Sequence, residues 1–171
     1  RQGDPTGPDP AMSLTVDIQC ASSEPVPDEE DLRSWIAAAL ASQPARGDTE
    51  ISLRPVDAQE MAGLNRDYRG KSGPTNVLSF PADLPAELEL PLLGDIVICA
   101  PVVREEALAQ HKTLAAHWAH MAVHGTLHLL GYDHIEDDEA IAMEALETAI
   151  LADLHYPCPY QANPTQENSL A

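Results

Sequence analysis

Five of the chain's seven histidines fall between residues 117 and 134: His117, His120, His124, His128 and His134. His124 and His128 are four positions apart, so on a helix they share one face, about 6 Å apart along the axis. Two imidazoles placed in this way can converge on one divalent ion at bond lengths of about 2.0–2.1 Å. Gly131 is suited to the left-handed backbone that ends a helix, and the turn it makes can swing His134 back as a third ligand. Three protein ligands leave one position of a tetrahedral zinc for water, the arrangement of a catalytic rather than a structural site. The expected cofactor is therefore zinc, about one ion per chain, held by His124, His128 and His134.

A single histidine on a helix is more often an ordinary half-buried residue. What makes this set specific is the pair at four-residue spacing followed by a glycine and a third histidine. His117 and His120 are read as packing or supporting residues, and His111 and His155 as surface residues. The pattern HxxxHxxGxxH matches that of the metzincin proteases except at one fixed position, where Gly125 replaces the glutamate that acts as general base. Ordinary proteolysis is disfavoured on that ground. A proton released in hydrolysis must then go to bulk water, to the metal-bound hydroxide, or to a neighbour such as Asp133, which could equally orient a histidine.

These histidines need a helix, and the helix needs a sheet to rest on. Leu14, Val16 and Ile18 alternate with polar residues, the period of a strand with one buried face. Asp28 suits the N-cap of an amphipathic helix carrying Leu32, Trp35, Ile36, Ala39 and Leu40. Residues 49–54 read as a second strand, and Asp57 with Glu60 resembles a capping box for a helix that runs out near Tyr68. Residues 69–76, with two glycines and a proline, read as a loop; residues 77–80 as a short strand closed by Pro81; residues 82–93 as irregular. A buried strand follows over 95–99, and Pro101 fits the first turn of a helical stretch reaching Leu130, broken near Lys112 and Thr113. The acidic run Glu136–Glu139 favours the start of a last helix with Met143, Leu146, Ile150 and Leu154 on its apolar face. The fold class predicted is α+β, one small mixed sheet covered by helices and including a histidine-bearing metal-site helix. Residues 14–157 form the single domain, with tails at 1–13 and 158–171 expected to be disordered.

At 171 residues the chain has the length of one domain, and its 44% apolar and 22% charged content is ordinary for a globular protein. It contains no run of about 18 apolar residues that would span a membrane, and its first residues do not read as a secretory signal. Cys20, Cys99 and Cys158 are far apart and form no CxxC pair, which suits free thiols in a reducing, cytoplasmic compartment. The net charge of -19 argues against a broad nucleic-acid-binding surface. It leaves room for a local basic site, because Arg54, Arg66, Arg69 and Lys71 fall in one short window. Of these, Arg69 has a planar fork that matches phosphate oxygens and is the candidate catalytic and substrate-binding residue, Lys71 is a second substrate-binding candidate that adds positive potential, and Arg66 is better read as solvated.

Three blocks, in order along the chain, resemble the YbeY endoribonucleases, bacterial rRNA maturation factors. They are Tyr68-Arg69-Gly70-Lys71 with Pro74 to Pro81, then Leu93 to Ile98, then His124 to His134. The resemblance covers residues 14 to 157 and leaves both tails outside. It implies a single-strand-specific endoribonuclease in ribosomal RNA processing, at the 3′ end of the small-subunit 16S rRNA, with a role in ribosome quality control. It implies zinc on the three histidines and a functional arginine at Arg69. The partners it implies are ribosomal RNA, the small ribosomal subunit and its assembly factors, with neither membrane nor DNA. Two rivals stay open at this point: a metal-dependent hydrolase of a peptide or amide, and a non-catalytic ribosome-assembly factor whose metal only holds the fold. Whether water or the RNA 2′-hydroxyl attacks the phosphate is also open.

Overall fold

The computed structural model describes residues 13–44, 47–82, 91–132 and 136–160. Their elements run β1 (Leu14–Ile18), α1 (Glu29–Ala41), β2 (Thr49–Val56), α2 (Ala58–Arg69), β3 (Val77–Pro81), β4 (Leu92–Cys99), α3 (Ala100–Ala109), α4 (Leu114–Leu129) and α5 (Asp137–Asp153). The strands form one mixed sheet in the order β1-β2-β4-β3. β1 pairs parallel with β2 and β2 with β4, whereas β3 is antiparallel to β4 and forms an edge. The α+β class expected from the alternation of patterns is the one observed.

Alternation along the strands divides the molecule into two cores. Ile51 and Leu53 of β2 and Ile96 and Ile98 of β4 point to one face, where α1, α4 and α5 bring Leu32, Ile36, Trp118, Val123, Leu127 and Met143. On the other face Val97, Leu78 and Val56 meet Met61 of α2 in a smaller cluster. α4 is the central helix. Twelve of its sixteen residues are buried, as expected of a helix that is covered nearly all round.

Caps set the ends of α4 and therefore the height of its histidines. Thr113 accepts a hydrogen bond at Oγ1 from the Ala116 amide, which marks the break foreseen near Lys112 and Thr113. At the other end Gly131 has φ +105°, its amide bonds the His128 carbonyl and the Tyr132 amide bonds the Leu127 carbonyl. This is the Schellman arrangement, and it confirms why a glycine stands there.

Some local expectations are corrected. Asp57 precedes α2, but its carboxylate accepts from Ser22 Oγ and from the amide and hydroxyl of Ser23 rather than capping the helix, while Glu60 pairs with Arg54. The capping box is therefore not made, because stronger partners outside the helix capture both side chains. Asp28 stands at the N-cap of α1 without a side-chain bond. Arg69 is the last residue of α2 rather than part of a loop, with Gly70 closing the helix at φ +66°. β4 begins three residues earlier than expected, at Leu92. Of the predicted tails, residues 1–12 and 161–171 lie outside the described residues, as do most of the irregular stretch and Asp133 and His134.

Candidate metal centre

Past its exposed first turn, α4 is buried except at His124 and His128, which share one face. Their Nε2 atoms lie 3.1 Å apart, with the rings at 76° to one another. Two nitrogens bound tetrahedrally at about 2.0–2.1 Å from one zinc would stand about 3.3 Å apart, so the pair is spaced as two ligands of one ion. The tautomer of His124 fits the same role. Its Nδ1 lies 2.5 Å from Glu147 Oε2, and a carboxylate there holds the ring proton on Nδ1 and leaves the Nε2 lone pair outward. His134 lies outside the described residues.

Behind this pair is a buried group. His120, His124 and Glu147 could hold a metal ion, since their ligand atoms all lie within 4.8 Å of one another. Glu147 is fully buried and its oxygens are already engaged by His120 Nε2 at 3.2 Å, by His124 and by the Tyr160 hydroxyl. Burial alone would raise its pKa, but the hydrogen bonds from His120 and His124 outweigh that and hold it at about 2. Burial lowers the pKa of His120. His120 and Glu147 are thus committed to each other and to His124, and the Nε2 atoms of His124 and His128 are the ones that face the cleft.

Glu147 was missed in the sequence. Its signal was available: it stands four residues after Met143 and three before Ile150, inside the apolar stripe of α5. A lone acid on a buried face needs donors to offset its desolvation, and four residues along α4 from His120 stands His124. His117, expected to pack, bonds Glu106 Oε1 at 2.8 Å. The reading of His111 and His155 as exposed residues agrees with the structure.

The histidines open onto a cleft of about 380 Å³ that is also lined by Arg69, Thr75, Asn76, Val77, Glu144 and Tyr160. The segment from Gly70 to Asn76 carries the chain around the β3 edge and is fastened at two points. Asn65 Nδ2 donates to the Gly73 carbonyl at 2.8 Å, and Asn76 Nδ2 donates to Glu106 at 3.1 Å. Arg69 is thus brought to the histidines although it begins on the far face of the sheet. Among the described residues it makes no ion pair, whereas Arg54 pairs with Glu60 and Arg66 with Asp67. Lys71 is exposed and is not among the residues that line the cleft.

Gly125 has a packing reason. A Cβ at this position would lie 2.8 Å from Ile96 Cγ2 and 3.3 Å from Ser79 Oγ, and Ser79 also donates to the Gly125 carbonyl at 3.0 Å. Position 125 faces the sheet rather than the cleft, so a glutamate there would displace β3 and β4.

An α+β domain with paired histidines on its central helix and an arginine across a cleft has the side chains that a metal-assisted hydrolase would need. The comparisons narrow that reading. The profile of the family described as Endoribonuclease YbeY matches residues 17–155. A protein of Cellvibrio japonicus named Endoribonuclease YbeY is 58% identical over 147 residues, 86% of this chain and 82% of that one. The like-named protein of Alcanivorax borkumensis is 56% identical over 163 residues, 92% of this chain and 91% of the relative. The solution structure of a Thermotoga maritima protein matches with a TM-score of 0.58 at 25% identity, covering 82% of this chain and 89% of that one. The chain belongs to the endoribonuclease YbeY family. Among the described residues no helix is long and apolar enough to cross a membrane.

Proposed function

We propose that the chain is a zinc-dependent, single-strand-specific endoribonuclease that processes ribosomal RNA, matures the 3′ end of 16S rRNA and serves ribosome quality control in the cytoplasm. Its ligands are His124, His128 and His134, and its partners are ribosomal RNA, the small subunit and the subunit's assembly factors. The observation that carries this reading is the meeting of the His124 and His128 Nε2 atoms, 3.1 Å apart, in a cleft shared with Arg69. Family membership supplies the substrate class.

The metal, when bound, polarises a phosphoryl oxygen and acidifies a water. The rest falls to the chain. Glu147 holds the proton on His124 Nδ1. Arg69 would grip non-bridging phosphate oxygens with two parallel N–H bonds, which would hold the phosphodiester in the cleft and stabilise the charge that develops on it. Lys71 adds positive potential outside the cleft rather than a direct grip. The net charge of -19 repels RNA from the remaining surface and confines it to this basic-edged entrance.

The reading is tested by digesting a single-stranded RNA beside casein, with and without chelator, using Arg69→Ala as control. Cleavage of RNA alone, abolished by chelator and by Arg69→Ala, is expected. RNA cleavage that persists in Arg69→Ala, or casein hydrolysis, would overturn it.

A further inference from the structure

After α5 the chain doubles back. His155 takes a left-handed conformation, φ 72°, and the amides of His155 and Tyr156 bond the carbonyls of Ala152 and Leu151. A non-glycine residue in this region is strained and persists only where surrounding contacts hold it. Three such contacts follow at alternate residues. Tyr156 meets Trp35 edge-on, Cys158 Sγ lies 3.7 Å from Thr148 Oγ1, and Tyr160 reaches Glu147. The segment therefore runs back along α5 as a strap whose last contact is at the metal centre. Its Cys158 and Tyr160 contacts lie beyond the residues 17–155 matched by the family profile and beyond the domain end at 157 read from the sequence.

We propose that Tyr160 is a positioning residue for the metal site: its hydroxyl, donated to Glu147 Oε1, locks the carboxylate rotamer that aims His124 Nε2 into the cleft. This rests on the histidine ligand set proposed above. The terminal torsion of a glutamate is broad and only weakly restricted by its own rotamer well, so its hydrogen bonds must fix it. Oε2 is committed to His124 Nδ1 at 2.5 Å, and among the described residues Oε1 otherwise has His120 Nε2 at 3.2 Å. Tyr160 adds the second donor to Oε1, and its oxygen also lies 3.2 Å from His120 Nε2. Burial and the Glu147 carboxylate push the Tyr160 pKa up, so the phenol keeps the proton it donates. Carboxylates that orient a ligating histidine change metal affinity by about 10–100-fold when removed, and the hydroxyl that fixes such a carboxylate acts on the same quantity.

The test uses the full chain. Zinc affinity is measured by chelator competition, and the ligand field by the visible spectrum of the cobalt-substituted protein, for wild type, Tyr160→Phe, Glu147→Gln and the double variant. Tyr160→Phe should weaken zinc binding by about tenfold and shift the cobalt bands, while the metal-free protein still unfolds cooperatively at a midpoint lowered by only the few degrees that one lost hydrogen bond costs. Glu147→Gln should weaken it more, and the double variant should match Glu147→Gln alone, since the hydroxyl works through that carboxylate. Wild-type affinity and an unshifted cobalt spectrum in Tyr160→Phe, or additive losses in the double variant, would overturn the proposal. A wild-type protein that binds no zinc would instead remove the ligand set and this proposal together.

Discussion

The two ends of α4 carry the same residue type and do different work. Near its N-terminus His117 and His120 are buried and tied to Glu106 and Glu147, and each has a buried Nδ1 that no described residue bonds. Near its C-terminus His124 and His128 are partly exposed and turn their Nε2 atoms toward one another beside Arg69. Burial separates the roles. An enclosed imidazole is satisfied by a fixed carboxylate, whereas an imidazole at a cleft can present its lone pair to an ion. The comparison teaches that a cluster of histidines is read by which nitrogen faces the opening, not by how many there are.

The comparison is sharpest at the cleft. Arg69→Ala should lower RNA cleavage by about 100-fold or more, the scale of losing one charge-stabilising donor, while metal content stays at the wild-type level. Single-turnover cleavage with metal analysis on the same sample checks both. A parallel loss of metal would mean that Arg69 holds the fold of the site rather than the phosphate.

Next in size is Gly125→Ala, on the face of α4 turned away from the cleft. The added methyl meets Ile96 at 2.8 Å, so a loss of about 1–3 kcal/mol in folding stability is expected, read as a lowered melting temperature. Unchanged stability would show that α4 can lift from the sheet, and the packing reason for this glycine would fall.

Glu106→Gln tests the buried end. It removes the charged acceptor of His117 and should cost about 1 kcal/mol, the scale of one hydrogen bond, with little effect on zinc affinity. The variant also carries a pH signature. The hydrogen bond from His117 holds the Glu106 carboxyl below its ordinary value of 4.5. A carboxyl depressed by folding contributes stability that is fully present above that value and is lost as pH falls through the depressed one. Glu147, held at about 2, adds the same sign between 4.5 and 2. Metal-free wild type should therefore lose stability progressively below pH 4.5, and Glu106→Gln should show a shallower acid slope. An identical slope in the two proteins would rule out the Glu106 contribution.

Much of the fold was legible because its signals are local. The alternation of Leu14, Val16 and Ile18, the apolar spacing of α1 and the break before Thr113 all depend on neighbours within one element. The four-residue spacing of His124 and His128 was legible for the same reason, and so was Gly131 as the end of α4. What was not legible depends on contacts between elements. Asp57 and Glu60 spell a capping box, but Ser22, Ser23 and Arg54 claim them from other parts of the chain. Glu147 and Tyr160 read as a helix acid and a tail residue until α5 and the strap bring them to α4. Gly125 read as a missing base and proves to be a packing contact with Ile96 and Ser79.

An ion on the outward nitrogens of His124 and His128, rather than in the buried group of His120, His124 and Glu147, makes His128 indispensable for metal binding and His120 not. Zinc content of purified His128→Ala and His120→Ala, measured side by side with wild type, separates the two placements. His128→Ala should lose the metal together with RNA cleavage, while His120→Ala keeps about one ion per chain. Retention of zinc in His128→Ala with its loss in His120→Ala would contradict the outward placement.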